Sequence, residues 1–180
     1  APYPLPVGSL GSCAHPPHPV GPPKAAAATL LRSGGRHEFG IGAGWMESDY
    51  VEAGMRYDRP GVRISRLEEA LQIIRGMWTQ EKTSFEGEHY TIREVARAAP
   101  LPHGEAPPVL IGGGGKRVLS LAGRHADIVG INPSLPEGRI TKDSAADLAP
   151  ESVREKIRWV REAAEKAGRD PDALELNSLA

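Results

Sequence analysis

The stretch from Pro107 to Ile131 constrains the fold more than any other part of the sequence. Pro107-Pro108-Val109-Leu110-Ile111 is a short apolar run led by two rigid prolines, and four glycines, Gly112 to Gly115, follow at once. Apolar residues then recur at helical spacing from Lys116 to His125, after which Ala126-Asp127-Ile128-Val129-Gly130-Ile131 is apolar without alternation. A strand that does not alternate is covered on both faces, and short buried strands joined through a helix belong to parallel sheets. The segment therefore predicts an α/β fold whose parallel sheet is closed or wound in the α/β manner.

The flanking sequence extends the pattern. His37 to Ile41 predicts a short buried strand running into the turn Gly40-Ile41-Gly42-Ala43-Gly44-Trp45. Ile64, Leu67, Leu71, Ile74 and Met77 or Trp78 fall at helical spacing, which predicts a helix from Pro60 to Trp78. Glu68 and Glu69 lie off that stripe and read as a solvated face. Phe85 to Tyr90 predicts a small hairpin around Gly87. Pro150 suits a first helical position ahead of Val153, Ile157, Val160 and Ala164 on one face, with Gly168 as the C-cap and Leu174 to Asn177 as a further strand. At the other end, Pro2, Pro4, Pro6, Pro16, Pro17, Pro19, Pro22 and Pro23 oppose a regular helix. Residues 1–32 are thus expected to be a poorly ordered Pro/Ala-rich segment, with about two helical turns over Ala25 to Leu31, and residues 33–180 the folded domain.

Composition narrows the partners. With 22 basic and 23 acidic residues the formal charge is −1, and no segment masses basic side chains, so neither nucleic acid nor an anionic membrane is expected. No run approaches the ~18 apolar residues of a membrane helix and the start lacks the order of a secretory signal, which makes a cytoplasmic location the expectation. Cys13 is the single cysteine, and none of the six histidines falls in a His-x-x-x-His or His-Glu-x-x-His arrangement, so no metal site is expected.

In parallel α/β folds ligands lie at the carboxyl ends of strands, which singles out three places. Gly112-Gly113-Gly114-Gly115-Lys116-Arg117 presents bare backbone at a helix start, where amides and the helix dipole favour an anion such as phosphate and two cations stand beside it. It is neither a Walker loop, since Arg117 replaces Ser or Thr, nor a dinucleotide fingerprint. The competing reading is a plain tight turn. Gly42, Gly44 and Trp45 leave room above a strand beside an indole that can stack on a planar ring, or else form a packed turn with a core tryptophan. Asn132 offers an amide to a pocket, or merely starts a turn before Pro133. His18, His37, His89, His103 and His125 have no visible partner carboxylate, and no catalytic residue is assigned.

These pieces combine into a resemblance. The turn Gly40 to Trp45 with Tyr50 and Gly54, Arg66-Leu67-Glu68-Glu69-Ala70-Leu71 with Trp78, Phe85-Glu86-Gly87 with Tyr90, Pro107 to Gly113, and His125-Ala126-Asp127 resemble, in order and spacing, the landmarks of the luciferase-like monooxygenase family of flavin- and deazaflavin-dependent oxidoreductases. The resemblance implies a TIM (β/α)8 barrel of which this chain holds about strands 3 to 7, short of the eight units and about 250 residues of a whole barrel. It further implies coenzyme F420 (the deazaflavin) in preference to FMN, with Gly112, Gly113, Gly114, Gly115 and Lys116 at the cofactor phosphate. Gly42, Gly44 and Trp45 would border its ring or side chain, and Asn132 would face the substrate pocket. Valine at Gly113 and Gly114 is expected to block the phosphate.

The prolines and glycine of His18 to Lys24 depart from the regular helix of the family at that point, which puts cofactor contacts from the third strand in doubt. The chemistry implied is hydride transfer or monooxygenation of a small organic substrate, with homo-oligomerisation left open. The alternative, suggested by the missing first and last barrel units, is a non-catalytic remnant that binds a phosphorylated ligand or packs on a complete homologue.

Overall fold

A computed structural model describes residues 7–13 (as backbone), 18–98, 100–101, 104–135, 144 and 146–178. In chain order the elements are β1 (Val7–Cys13), α1 (Gly21–Arg32), β2 (His37–Gly42), α2 (Glu47–Glu52), α3 (Pro60–Thr79), β3 (Lys82–Glu86), β4 (Thr91–Ala96), β5 (Val109–Gly113), α4 (Lys116–His125), β6 (Ile128–Ile131), α5 (Pro150–Lys166) and β7 (Glu175–Asn177), with a 3-10 turn at Pro171–Ala173. They fall into two compact units, one of residues 1–43 and 60–108, the other of 44–59 and 109–180.

In the first unit β1 and β2 pair in parallel, Val7 opposite His37 and Cys13 opposite Gly42, and α1 connects them. Within the residue 1–32 segment expected to be poorly ordered, α1 is longer than the two turns expected over Ala25 to Leu31, while residues 1–6 and 14–17 lie outside the described ones. The helix starts at Gly21, four residues before Ala25, because Pro22 and Pro23 occupy its first turn, where no intrahelical donor is needed and the ring presets φ. Ala26, Ala27 and Leu30 give it a buried face. A regular helix is therefore present where the prolines argued against one.

Helix α3 runs one residue past its predicted end and buries Leu67, Leu71, Ile74 and Trp78 as the spacing required. Trp78 joins three elements: its ring stands edge-on to Phe39 of β2 with centroids 5.3 Å apart, and its Nε1 donates to the Pro23 carbonyl of α1 at 3.1 Å. Strands β3 and β4 form a hairpin around Gly87, antiparallel with Glu86 opposite Thr91, but it is larger than the one expected over Phe85 to Tyr90, which supplies mainly its loop.

The reading of Glu69 as a solvated acid is overturned. Its carboxylate accepts from the amides of Glu88 at 2.8 Å, of His89 at 3.0 Å and of Tyr90 at 3.0 Å, so it stands in for the partners that the hairpin loop lacks. The landmark acid of α3 and the landmark glycine of the hairpin thus share one structural cause.

In the second unit β5, β6 and β7 are parallel, with Gly112, Gly130 and Asn177 in register across the three strands. Asp127 sets their starts. Its Oδ2 accepts from Val109 N at 2.9 Å, its own N donates to Val109 O at 2.9 Å, and its carbonyl accepts from Glu175 N at 3.0 Å. Arg169 pins the same carboxylate and the carbonyl of Gly123. Helix α4 has the predicted bounds, and Gly123 lets α5 approach, because a Cβ there would overlap the Val160 carbonyl. Gly168 ends α5 at φ +71°, with Arg169 N bonded to Ala164 O at 2.9 Å. The buried face of α5 differs from the predicted one: Val160 and Ala164 are buried, Val153 and Ile157 only half-buried, and Lys156 is fully buried.

Candidate functional site

The glycine run sits at the carboxyl ends of β5 and β6, and its members are glycine for different reasons. At Gly113 a Cβ would overlap Val118 of α4, and at Gly114 it would overlap the backbone of Pro133 and Ser134. At Gly112 it would lie 3.0 Å from Asn132 Nδ2. Of the four, Gly115 alone has no close neighbour at its Cβ position among the described residues, with Ser134 Oγ at 3.9 Å. The expectation that valine at Gly113 and Gly114 would test ligand contact is therefore corrected: both positions are closed by the protein's own packing.

Gly115 is the N-cap of α4 in extended conformation (φ −87°, ψ 152°), offers no side-chain cap, and no acid lies in the first helical turn. The positive end of the helix dipole stands at this first turn, and Gly115 has no side chain with which to cap it. Both cationic side chains are exposed, and Lys116 Nζ lies 5.8 Å above the Trp159 ring, which tethers it near this end of the helix. The arrangement fits an anionic group such as a phosphate.

A second segment flanks the run. Asn132 N donates to Gly113 O at 2.9 Å, which extends the β5–β6 pairing by one residue. Asn132 Oδ1 is buried without a hydrogen-bond partner among the described residues. The chain then passes over Gly114 to the exposed Ser134, whose amide donates to Asp147 Oδ2 at 2.6 Å.

Lys156 of α5 holds both ends of this turn, bonding Asn132 O at 2.8 Å, Asp147 O at 3.0 Å and Asp147 Oδ2 at 2.7 Å, while Ser152 Oγ donates to Asp147 Oδ1. Burial pushes the Asp147 carboxyl up, but the hydrogen bonds of Lys156, the Ser134 amide and Ser152 together with the Lys156 charge outweigh it, leaving the group below its usual range. Ser134, Asp147 and Lys156 were not read from the sequence. The available signal was spacing, since Lys156 stands one helical turn from both Val153 and Val160.

Trp45 is 40% exposed, so it is not the core tryptophan of a packed turn; Trp78 is the buried one. Its carbonyl is held by Tyr57 OH at 2.7 Å, and Gly44 (φ +73°) is glycine because Tyr50 lies where its Cβ would be. Gly42 ends β2 with no atom within 4 Å of a Cβ position. Among the histidines, His37 is buried, His89 is half-buried beside Glu69, and His103 lies outside the described residues. No three His, Cys, Asp or Glu residues group as metal ligands among the described residues, and no described helix is long and apolar enough to cross a membrane.

Residues 9–178 match the luciferase-like monooxygenase family. The chain belongs to that family. The match begins inside β1 and takes in α1. Among curated relatives, an F420-dependent glucose-6-phosphate dehydrogenase of Amycolatopsis mediterranei is 30% identical over 151 residues, covering 83% of this chain and 41% of that protein. A phthiodiolone/phenolphthiodiolone dimycocerosates ketoreductase of Mycobacterium kansasii is 31% identical over 157 residues, covering 84% and 37%. The chain thus spans about two fifths of the length of these relatives.

The solved structure of the coenzyme F420 dependent tetrahydromethanopterin reductase of Methanopyrus kandleri superposes with a TM-score of 0.79 at 19% identity, over 97% of this chain and 49% of that one. The fold of luciferase-like proteins, an α/β barrel of the TIM type present here in part, follows from this likeness. In such barrels the carboxyl ends of the strands carry the site, which is where Gly112 to Lys116 and Asn132 stand.

Proposed function

We propose that this protein is an oxidoreductase dependent on coenzyme F420, moving a hydride between the deazaflavin ring and a small organic substrate. The observation that carries the reading is the N-terminus of α4, where Gly115 has no side chain to cap the helix and, among the described residues, only Ser134 Oγ near its Cβ position, with two exposed cations alongside. Relatives whose names specify F420 favour the deazaflavin over FMN.

In this assignment the amides of Gly115 and Lys116 and the hydroxyl of Ser134 hold the coenzyme phosphate, and Lys116 adds charge. Gly112 to Gly114 shape the loop without touching the ligand through side-chain space. The exposed indole of Trp45 is assigned to the coenzyme ring, and Asn132 to the substrate side. The bound coenzyme supplies the hydride chemistry, while the chain binds, orients and shields it.

Fluorescence titration of the purified chain with coenzyme F420 and with FMN tests the reading. Saturable binding of F420 alone supports it, saturable binding of FMN alone moves the chain to flavin monooxygenation, and a folded chain that takes neither overturns it in favour of a non-catalytic relative.

A further inference from the structure

The burial of Lys156 has no counterpart in the reading above. An ammonium taken out of water costs several kcal/mol unless oxygens replace its hydration, and a well-packed apolar side chain often serves stability as well or better. Lys156 Nζ meets three oxygens, and they come from two separate places: the carbonyl of Asn132, just after β6, and the carbonyl and carboxylate of Asp147, just before α5. Asp147 in turn takes the Ser134 amide at 2.6 Å. Both ends of the Asn132–Ser134 turn are therefore fixed to one buried cation.

That turn forms the wall of the glycine run. Its Pro133–Ser134 backbone fills the space above Gly114, its Asn132 amide stands over Gly112, and its Ser134 hydroxyl borders Gly115 at the helix start. Displacement of the turn would move the Ser134 hydroxyl and the Asn132 carboxamide together, while the β5–β6 and β6–β7 pairings from Ile128 to Ile131 do not depend on it.

We infer that Lys156 is a positioning residue: paired with Asp147, it sets the Asn132–Ser134 turn against the N-terminus of α4 and so shapes the anion cradle without touching the ligand. This rests on the coenzyme-binding reading for its ligand, whereas its geometry stands independently of the ligand's identity.

The full chain carrying Lys156→Met, Asp147→Asn or, as a control, Val160→Ala tests it. Val160 is buried in the same helix but bonds none of the turn, so Val160→Ala leaves a cavity at a site that a purely structural role would treat alike. For each variant the urea midpoint, the affinity for coenzyme F420 and the amide exchange of Ser134 are measured. Lys156→Met and Asp147→Asn are expected to weaken the coenzyme on the order of tenfold, the scale on which contacts behind a binding group act, and to speed Ser134 exchange. Val160→Ala is expected to lower the midpoint with affinity and Ser134 exchange unchanged.

Native affinity in folded Lys156→Met, or an equal loss of affinity in Val160→Ala, would overturn the inference. Where Lys156→Met does not fold, Asp147→Asn decides, its side chain being 31% exposed and open to hydration. If the unaltered chain binds no coenzyme, the functional proposal fails and the exchange data alone decide: selective acceleration at Ser134 upholds the positioning role, and unchanged exchange removes it.

Discussion

The carboxylate of Glu69 stands 2.6 Å from where a Cβ on Gly87 would be built, so the acid of α3 and the glycine of the β3–β4 loop exclude any larger residue from each other's space. Three successive loop amides close on that carboxylate. Glu69→Ala should cost about 1–3 kcal/mol, the penalty of leaving donors without acceptors. Gly87→Ala should act in the same direction by displacing the acid. Urea denaturation with amide exchange at residues 88–90 checks this; a variant with native stability and native exchange would return Glu69 to a solvated role.

The four glycines of the β5–α4 turn should separate cleanly. Gly114→Val is expected to destabilise by several kcal/mol through overlap with Pro133 and Ser134, within the range of overpacked or strained sites. Gly115→Val, at an extended backbone position with Ser134 Oγ 3.9 Å from the Cβ, should cost about 1 kcal/mol through the N-cap preference for glycine and still lose coenzyme affinity. Thermal melts paired with the coenzyme titration read both, and a Gly115 variant that binds normally removes the phosphate assignment.

The tryptophans should differ as their exposure does. Trp78→Ala removes the ring packed on Phe39 and the bond to Pro23, and about 3–5 kcal/mol of stability is expected to go with it. Trp45→Ala is expected to change stability by less than about 0.5 kcal/mol, as an exposed site does. Its effect should appear in coenzyme affinity instead, by about 0.5–1.5 kcal/mol if the indole stacks on the ring. Loss of stability without loss of affinity at Trp45 would reverse the assignment.

Asp147 gives the fold an acid limb. Its folded pKa lies below the ordinary 3.8, so the stabilisation it contributes is fully present above that value and is lost as pH falls through the depressed folded pKa. The parent should therefore lose stability in that acid window, and Asp147→Asn should flatten the part of the profile this carboxyl supplies. Urea midpoints from neutral pH down into the acid range check it; identical slopes in both chains would exclude Asp147 as a contributor.

The main features of the fold were legible because apolar spacing and glycine placement report burial directly. Val109 to Ile111 and Ile128 to Ile131 are strands for the reason their composition suggests, and the helix from Lys116 to His125 matches its spacing residue for residue. The N-terminal helix was expected only over Ala25 to Leu31, and its start at Gly21 was missed because proline was weighed by its number and not by its position in the first turn. Gly115, Lys116 and Asn132 were singled out by their place after a strand, and Lys156 and Ser134, which stand beside them in the fold, were not. Their roles depend on chain segments far apart in sequence meeting around one ammonium, and a polar residue on an apolar face is the only trace this leaves.

The second unit's three parallel strands obey opposite rules at their two ends. Where they begin, the Asp127 carboxylate and Arg169 tie strand to strand through bonds that tolerate little change. Where they finish, Gly112 and Gly130 keep the floor bare and Asn132 hangs over it. On the proposed site assignment, a saturation-mutagenesis survey of this unit should yield two maps with little overlap: substitutions at the starts sorted by folded yield, and substitutions at the finishes sorted by coenzyme affinity. Under the coenzyme assignment, ligand preference can thus be varied along one rim while the other keeps the chain folded.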